Sequence, residues 1–139
     1  MRVLGIDFGT KRIGIALSDP LGILSSGIEV IEKGKSYGDD IIKIKEIIGR
    51  YSGIEEIVIG LPKTLKNEES FAAQKVREFA EEIKKAINLK VVLLDERLTT
   101  AAVEKEMIGA GLSREKRKGS IDKAAAAMIL QNYLDSKRR

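Results

Sequence analysis

The sequence predicts an α/β fold in which three strands come first and helices then alternate with two further strands. Two apolar runs around a short polar turn, residues 3–8 and 12–18, are typical of a β-hairpin. Further along the chain, apolar residues recur at helical spacing between short apolar runs of strand length. This alternation favours a sheet with helices packed against it.

The hairpin has a predicted register. We expect Thr10 and Lys11 to form a two-residue turn, which places Asp7 opposite Gly14 and Gly5 opposite Ala16. Large apolar side chains then share one face of the hairpin, and the face that carries Asp7 is lined by small residues. Another element must therefore pack closely on that face. The small residues are Gly5, Gly14 and Ala16.

The middle of the chain continues the alternation of strands and helices. A third strand is predicted over residues 23–31, a helix over 39–50, a short strand over 57–59 ended by residues 60–62, a helix over 68–87, and a fifth strand over 91–94. A further helix, capped by Thr99 or Thr100, is predicted to end near residues 109–111.

The last predicted helix carries a run of small side chains. Residues 112–119 are expected to form a basic loop, and Ser120 to cap a helix that reaches about residue 134. Residues 124–127 are all alanine, so this helix can approach the small-residue face of the hairpin. Because no repeat or linker interrupts the pattern, residues 1–139 are expected to form a single domain.

Composition excludes several kinds of chemistry. The 139-residue chain has no cysteine and no histidine, which excludes disulfides, a Ser-His-Asp triad and an ordinary zinc site. Acid–base or metal chemistry must therefore use Asp, Glu, Lys, Tyr or water. Carboxylate oxygens are hard ligands, so the expected metals are Mg²⁺ or Mn²⁺. The formal net charge of +4 favours polyanionic partners.

The first residues and the lengths of the apolar runs predict where in the cell the protein is located. Met1 is followed within a few residues by an apparent core strand, so we expect no signal peptide. No apolar run approaches the ~20 residues that a membrane span needs. With cysteine absent as well, we expect a cytoplasmic protein.

Three carboxylates are the candidate catalytic and metal-binding groups. Asp7 ends one predicted strand, Glu96 ends another, and Asp122 lies in the first turn of the predicted last helix. Each has a structural explanation alone: capping of a turn, a solvated ion pair, and opposition to the helix dipole. If the helix packs on the hairpin, the three converge, and their repulsion requires cations. Two such ions ~4 Å apart would activate water for phosphodiester hydrolysis.

Four blocks of sequence, in order, resemble the YqgF family, also called RuvX. They are residues 5–16 (GIDFGTKRIGIA), 60–62 (GLP), 95–100 (DERLTT) and 122–131, with Asp122, AA at 125–126 and ILQ at 129–131. The resemblance implies a ribonuclease-H-like fold related to RuvC resolvases, with five strands of which the first three are antiparallel. It implies Mg²⁺ or Mn²⁺, and Asp7, Glu96 and Asp122 as the acidic set. The family's usual methionine and glycine after residues 60–62 are replaced by Leu65 and Asn67.

The family is associated with maturation of the 5′ end of pre-16S ribosomal RNA, and was earlier described as Holliday-junction resolvases. The resemblance therefore implies a nuclease, acting as an endonuclease or an exonuclease. The residues do not choose between an rRNA precursor and branched DNA. A module that binds nucleic acid without cutting it stays open too, whereas a two-lobed actin-like ATPase is excluded because the chain has no residues for a second lobe.

Seven basic residues are candidates for binding nucleic acid. Lys11 and Arg12 would lie beside the carboxylates, either on a phosphate or in a solvated turn. Arg97 is expected to bind phosphate or to orient Glu96 or Asp95, and which of these two acids faces the metals stays open. The basic loop would contact the backbone of the substrate through Arg114, Lys116, Arg117 and Lys118. We expect a monomer or weak dimer.

Overall fold

Five strands and three helices make up the described structure. The computed structural model describes residues 1–62, 71–96 and 114–138. In chain order the elements are β1 (Arg2–Phe8), β2 (Arg12–Ser18), β3 (Ser25–Glu32), α1 (Tyr37–Arg50), β4 (Ile54–Pro62), α2 (Phe71–Ala86), β5 (Lys90–Glu96) and α3 (Arg114–Lys137). Within these ranges, no helix is long and apolar enough to cross a membrane.

The strands form one mixed sheet in the order β3-β2-β1-β4-β5. The first three strands are antiparallel, and β4 and β5 run parallel to β1. The predicted fold class is confirmed. Because β1, β4 and β5 are adjacent and parallel, their carboxyl ends lie at the same edge of the sheet.

The β1–β2 hairpin has the predicted turn. Its two-residue loop is closed by the Gly9 amide, which donates to the Arg12 carbonyl oxygen at 3.0 Å. The register is confirmed for both pairs that the sequence singled out, Asp7 with Gly14 and Gly5 with Ala16.

Each face of the sheet is covered by its own hydrophobic core. On one face, α1 and α2 bury large aliphatic side chains and one phenylalanine; at its centre lie Ile6, Ile15, Ile59, Phe79 and Ile83. On the other face, α3 packs against smaller residues; this core includes Val3, Ala16, Val58, Ala126 and Leu130. Each fully buried large side chain contributes about 1.5–3 kcal/mol, so the two cores fix both helical layers against the sheet.

The prediction that residues 60–62 end the fourth strand is wrong. The strand continues through them, and Gly60 pairs with Leu94 of β5. Gly60 allows α3 to pack closely on β4, because a Cβ at this position would lie 2.5 Å from Ile129 Cδ1 in α3. Pro62 is the last residue of the strand.

The predicted loop over residues 112–119 is also wrong for most of its length. Helix α3 already begins at Arg114 and continues through Gly119 and Ser120 to Lys137. Arg, Glu and Lys are good helix formers, and their gain outweighs the ~1 kcal/mol that one interior glycine costs. Ser120 is therefore an interior residue and not a cap.

Smaller differences have local causes. The third strand begins at Ser25 and not at residue 23, because the Asp19 carboxylate accepts the Ile23 and Leu24 amides at 2.7 and 3.1 Å and holds them in a loop. Helix α1 begins at Tyr37, capped by Ser36. The helix predicted between residues 99 and 111, with Leu65 and Asn67, lies outside the described residues.

Candidate active site

Asp7 occupies the last position but one of β1, on the face that α3 covers. Its partner across the hairpin is Gly14, so no side chain of β2 fills the space beside its carboxylate. Burial, and after it the negative charge of Asp122, raises the pKa of Asp7 from 3.8 to about 6. A carboxylate whose ionisation is opposed by burial and by a second carboxylate is typical of a site that receives a cation.

Asp122 reaches this position because two elements approach unusually closely. A Cβ at position 14 would collide with the Asp122 carbonyl oxygen, and it would lie 3.4 Å from the Ala126 Cβ. The alanine run and the small-residue face therefore meet as predicted. The helix-dipole explanation for Asp122 is wrong: α3 begins at Arg114, and the dipole's effect falls off within the first turn.

Arg12 is bound to Asp122. Its Nε lies 2.8 Å from Asp122 Oδ2, and both side chains are about a quarter exposed, at 28% and 21%. This hydrogen bond and the charge of Asp122 raise the pKa of Arg12. The guanidinium therefore partly neutralises the Asp122 carboxylate. The sequence analysis missed this pair because 110 residues separate Arg12 from Asp122.

Glu96 is the last residue of β5 and pairs with Pro62 of β4. Its main chain thus lies at the same sheet edge as Asp7, with β4 between them. Alternation along β5 distinguishes it from Asp95, because Val92 and Leu94 pack in the α3 core whereas Val91 and Leu93 pack in the opposite one. By this alternation, position 96 belongs to the same face of the sheet as Val92 and Leu94. The exposed Asp95 belongs to the face of Val91 and Leu93.

The donor chemistry of this edge fits a hard divalent cation. Asp7 and Asp122 offer carboxylate oxygens, the ligands that Mg²⁺ and Mn²⁺ prefer. Among the side chains that the structure describes, no group of three acidic, histidine or cysteine residues is close enough to hold a metal ion. The predicted set includes Glu96, whose position is defined only through its strand.

The predicted nucleic-acid-binding residues fall into three groups. Lys11 is exposed at the hairpin turn, and Arg12 is held by Asp122. Arg97 lies outside the described residues. The remaining four belong to the first turns of α3 and not to a loop; they are Arg114, Lys116, Arg117 and Lys118.

Comparison with known proteins identifies the family. A family model described as "RuvX: Holliday junction resolvase" matches residues 1–136. The chain belongs to the RuvX family. A RuvX relative from Listeria monocytogenes serotype 4b, named "Putative pre-16S rRNA nuclease", is 47% identical over 139 residues, with 98% of this chain and 99% of that protein covered. One with the same name from Clostridium acetobutylicum is 48% identical over 136 residues, with the same coverage.

Solved structures show that this RuvX chain has the fold of RuvC-like resolvases. Thermus thermophilus RuvC in complex with a Holliday junction superposes with a TM-score of 0.60 at 18% identity, with 99% of this chain and 96% of that one covered. Fowlpox virus resolvase bound to Holliday junction DNA superposes with a TM-score of 0.56 at 12% identity over both whole chains. The ribonuclease-H-like fold that the RuvX motifs imply is therefore confirmed.

Proposed function

We propose that this chain is a Mg²⁺- or Mn²⁺-dependent nuclease that processes the 5′ end of pre-16S rRNA in the cytoplasm. Asp7, Glu96 and Asp122 are the proposed catalytic and metal-binding residues. The proposal rests on one observation above all: Asp7 and Asp122, distant in sequence, lie on one face of the sheet at the edge where β5 ends.

Each residue has a proposed task at this edge. Asp7 and Asp122 hold the cations, and Glu96 completes the set from the end of β5. Two bound divalent ions supply activation of water and stabilisation of the leaving oxygen. Arg12 neutralises Asp122 until the cations bind, after which its guanidinium is a donor for a phosphate oxygen. Lys11 contacts the phosphate backbone beside it, as do Arg97 and the basic first turns of α3.

The substrate follows from the relatives. The two bacterial relatives, at 47–48% identity over nearly their whole lengths, are named for pre-16S rRNA, so an RNA precursor is the first candidate. The description of the family model favours a second candidate, the four-way DNA junction. A resolvase of that kind acts as a symmetric dimer, whereas we propose a monomer or weak dimer here.

The test is a cleavage assay with matched substrates and variants. Labelled precursor rRNA, single-stranded RNA and four-way DNA junctions are incubated with the wild type, Asp7→Asn, Asp122→Asn and Glu96→Gln in Mg²⁺ and then Mn²⁺. We expect each variant to lose at least a hundredfold in rate on the rRNA precursor. Glu46→Gln, at an exposed position of α1, is the control and should cut normally. Product lengths distinguish endonuclease from exonuclease action.

Three outcomes would count against parts of the proposal. Equal rates for Asp7→Asn and the wild type would remove the catalytic assignment and leave a binding module. Loss of activity in Asp95→Asn with full activity in Glu96→Gln would reverse the choice between these two acids. Faster cleavage of the junction than of the precursor, together with a tight dimer in solution, would favour the resolvase.

A further inference from the structure

A cavity lies at the carboxyl end of β1, near Asp7 but on the opposite face of the sheet, which α1 and α2 cover. Its volume is about 810 Å³. Three segments line it: the hairpin turn, the turn between β3 and α1, and the exposed side of α2. They contribute four lysines, Lys11, Lys33, Lys35 and Lys75. We call this cavity the lysine pocket.

The four ammonium groups at this cavity differ in their surroundings, and Lys33 is the least exposed of them. Lys33 Nζ donates to the Gly9 carbonyl oxygen at 3.1 Å and lies 3.9 Å from the centre of the Phe8 ring. Burial lowers the pKa of Lys33; the charge of Asp40 opposes this shift, and the charge of Lys75 makes a smaller contribution in the same direction as burial. Like charges brought together at a partly open surface indicate a site for an anion.

Three acidic residues also line the wall, so the lysines exceed them by one. Glu32 is exposed, and the other two have partners within the protein. Asp40 is buried and accepts the Gly34 amide at 2.7 Å. Glu78 accepts the Tyr37 hydroxyl at 2.8 Å. Both carboxylates therefore have roles in holding the wall together, whereas Lys11, Lys35 and Lys75 are exposed.

We call the sheet edge where Asp7 and Asp122 lie the carboxylate edge. The lysine pocket and the carboxylate edge are joined through consecutive residues of one strand. Asp7 is on the α3 face of β1, and Phe8 is on the opposite face, where it stacks on Phe79 with ring centres 4.2 Å apart. Phe8 also lines the pocket. Thr10 and Lys11, at the tip of the hairpin that follows these two residues, also line the pocket.

We propose that the lysine pocket binds the phosphate backbone of the nucleic-acid strand that continues from the carboxylate edge over the hairpin tip. The inference rests on the proposed function, because the ligand is the strand that the edge would cut. Ammonium groups bind phosphates as point charges without reading bases, so the pocket extends the contact with the strand and adds no sequence preference.

The main chain of the pocket favours a continuous strand over a free phosphate. A turn binds a free phosphate through converging amides. Here the Gly34 amide is occupied by Asp40, and the Lys35 amide donates to Asp39 Oδ2 at 3.1 Å. The exposed ammonium groups of Lys11, Lys35 and Lys75 are donors for a ligand, and they are spread over three segments, as a passing backbone requires.

The test compares two double variants of equal charge change. Lys35→Gln/Lys75→Gln removes two exposed ammoniums of the pocket and leaves Lys33 with its Gly9 contact. Lys84→Gln/Lys85→Gln is the control, because these exposed lysines of α2 pair with Glu81 and Glu82 outside the pocket. Binding of a fluorescent single-stranded RNA is measured by anisotropy from 50 to 200 mM salt, without divalent cations so that no strand is cut.

We expect the pocket variant to bind more weakly and its salt dependence to flatten. Each phosphate contact on a single strand adds about 0.7 to the slope of log K against log salt, so the loss of two contacts lowers the slope by about 1.4. The control should keep the wild-type slope. Circular dichroism checks that both variants are folded.

An unchanged slope in the pocket variant, or an equal loss in the control, would overturn the inference. This outcome is independent of the proposed function: normal cleavage by Asp7→Asn would refute catalysis while the slope of the pocket variant still fell. Inorganic phosphate that bound the wild type more tightly than the pocket variant while the RNA slope stayed unchanged would also overturn it, since the pocket would then take a free anion.

Discussion

The carbonyl oxygen of Asp122 in α3 lies where a side chain at Gly14 in β2 would have to be. Gly14 is at the same time the partner of Asp7 across the hairpin. One glycine therefore sets the approach of the helix that carries one candidate carboxylate to the strand that carries the other. This relationship links the folding of α3 directly to the assembly of the site.

Gly14→Ala is expected to damage both stability and activity. The added methyl must displace the α3 main chain, and overpacking of this kind costs about 1–3 kcal/mol. Urea denaturation measures the loss, and the cleavage assay measures the accompanying drop in rate. Gly49→Ala in α1 is the matched control: nothing lies within 4 Å of the place that its methyl group would take, so it should gain about 0.5–1 kcal/mol. Equal stability of Gly14→Ala and the wild type would contradict the proposed close contact.

Asp7 makes the metal-free protein less stable as the pH rises. Its pKa is 3.8 in the unfolded chain and about 6 in the fold, so between these values the folded state binds more protons than the unfolded state. The free energy of unfolding therefore falls as the pH rises through this window, by about 2–3 kcal/mol from this group. Below pH 4 both states are protonated and the effect disappears.

Asp7→Asn should remove this penalty. In chelator, we expect the variant to be more stable than the wild type above pH 6, and the difference to shrink to nothing near pH 4. Urea denaturation at several pH values measures it. Mg²⁺ should stabilise the wild type at pH 8 and leave the variant unchanged. A constant difference from pH 4 to pH 8 would mean that neither burial nor the charge of Asp122 raises the pKa of Asp7.

Arg12→Gln is expected to tighten the binding of divalent cations. In the metal-free protein the Arg12 guanidinium occupies Asp122 Oδ2, an oxygen that a cation would use. A partly exposed ion pair contributes about 0–1 kcal/mol, so its removal should improve the affinity for Mn²⁺ up to about fivefold. Isothermal titration calorimetry measures it. Weaker Mn²⁺ binding in Arg12→Gln would show that Arg12 organises the site for the cation and does not compete with it.

Tyr133→Phe is expected to destabilise the fold away from the candidate site. The Tyr133 hydroxyl donates to Glu56, a carboxylate only 3% exposed that otherwise has Lys137 Nζ at 3.3 Å. Loss of a hydrogen bond to a buried charged group costs about 1.5–3 kcal/mol. Tyr37→Phe, which loses an exposed hydrogen bond to Glu78, is the control and should lower the free energy of unfolding by less than about 1 kcal/mol. Equal costs would mean that water replaces the Tyr133 hydroxyl.

The sequence by itself determined the local geometry of the site. The register of Asp7 against Gly14, the small-residue face and the alanine run that covers it all follow from side-chain size and from the two-residue period of a strand. These relations depend on neighbours in sequence, or on a hairpin whose turn fixes its pairing. The order of strands and helices was predictable for the same reason.

Tertiary structure alone decided the rest. The Arg12–Asp122 pair, the continuation of β4 past Gly60 and the lysine pocket all depend on segments that become neighbours only through the order β3-β2-β1-β4-β5. The start of α3 at Arg114 is a different case, because there the local helix propensity of residues 114–118 outweighs Ser120 as a cap. Local propensities differ by fractions of a kilocalorie per residue, whereas packing of a helix on a sheet is worth several, so long-range contacts determine the other three features.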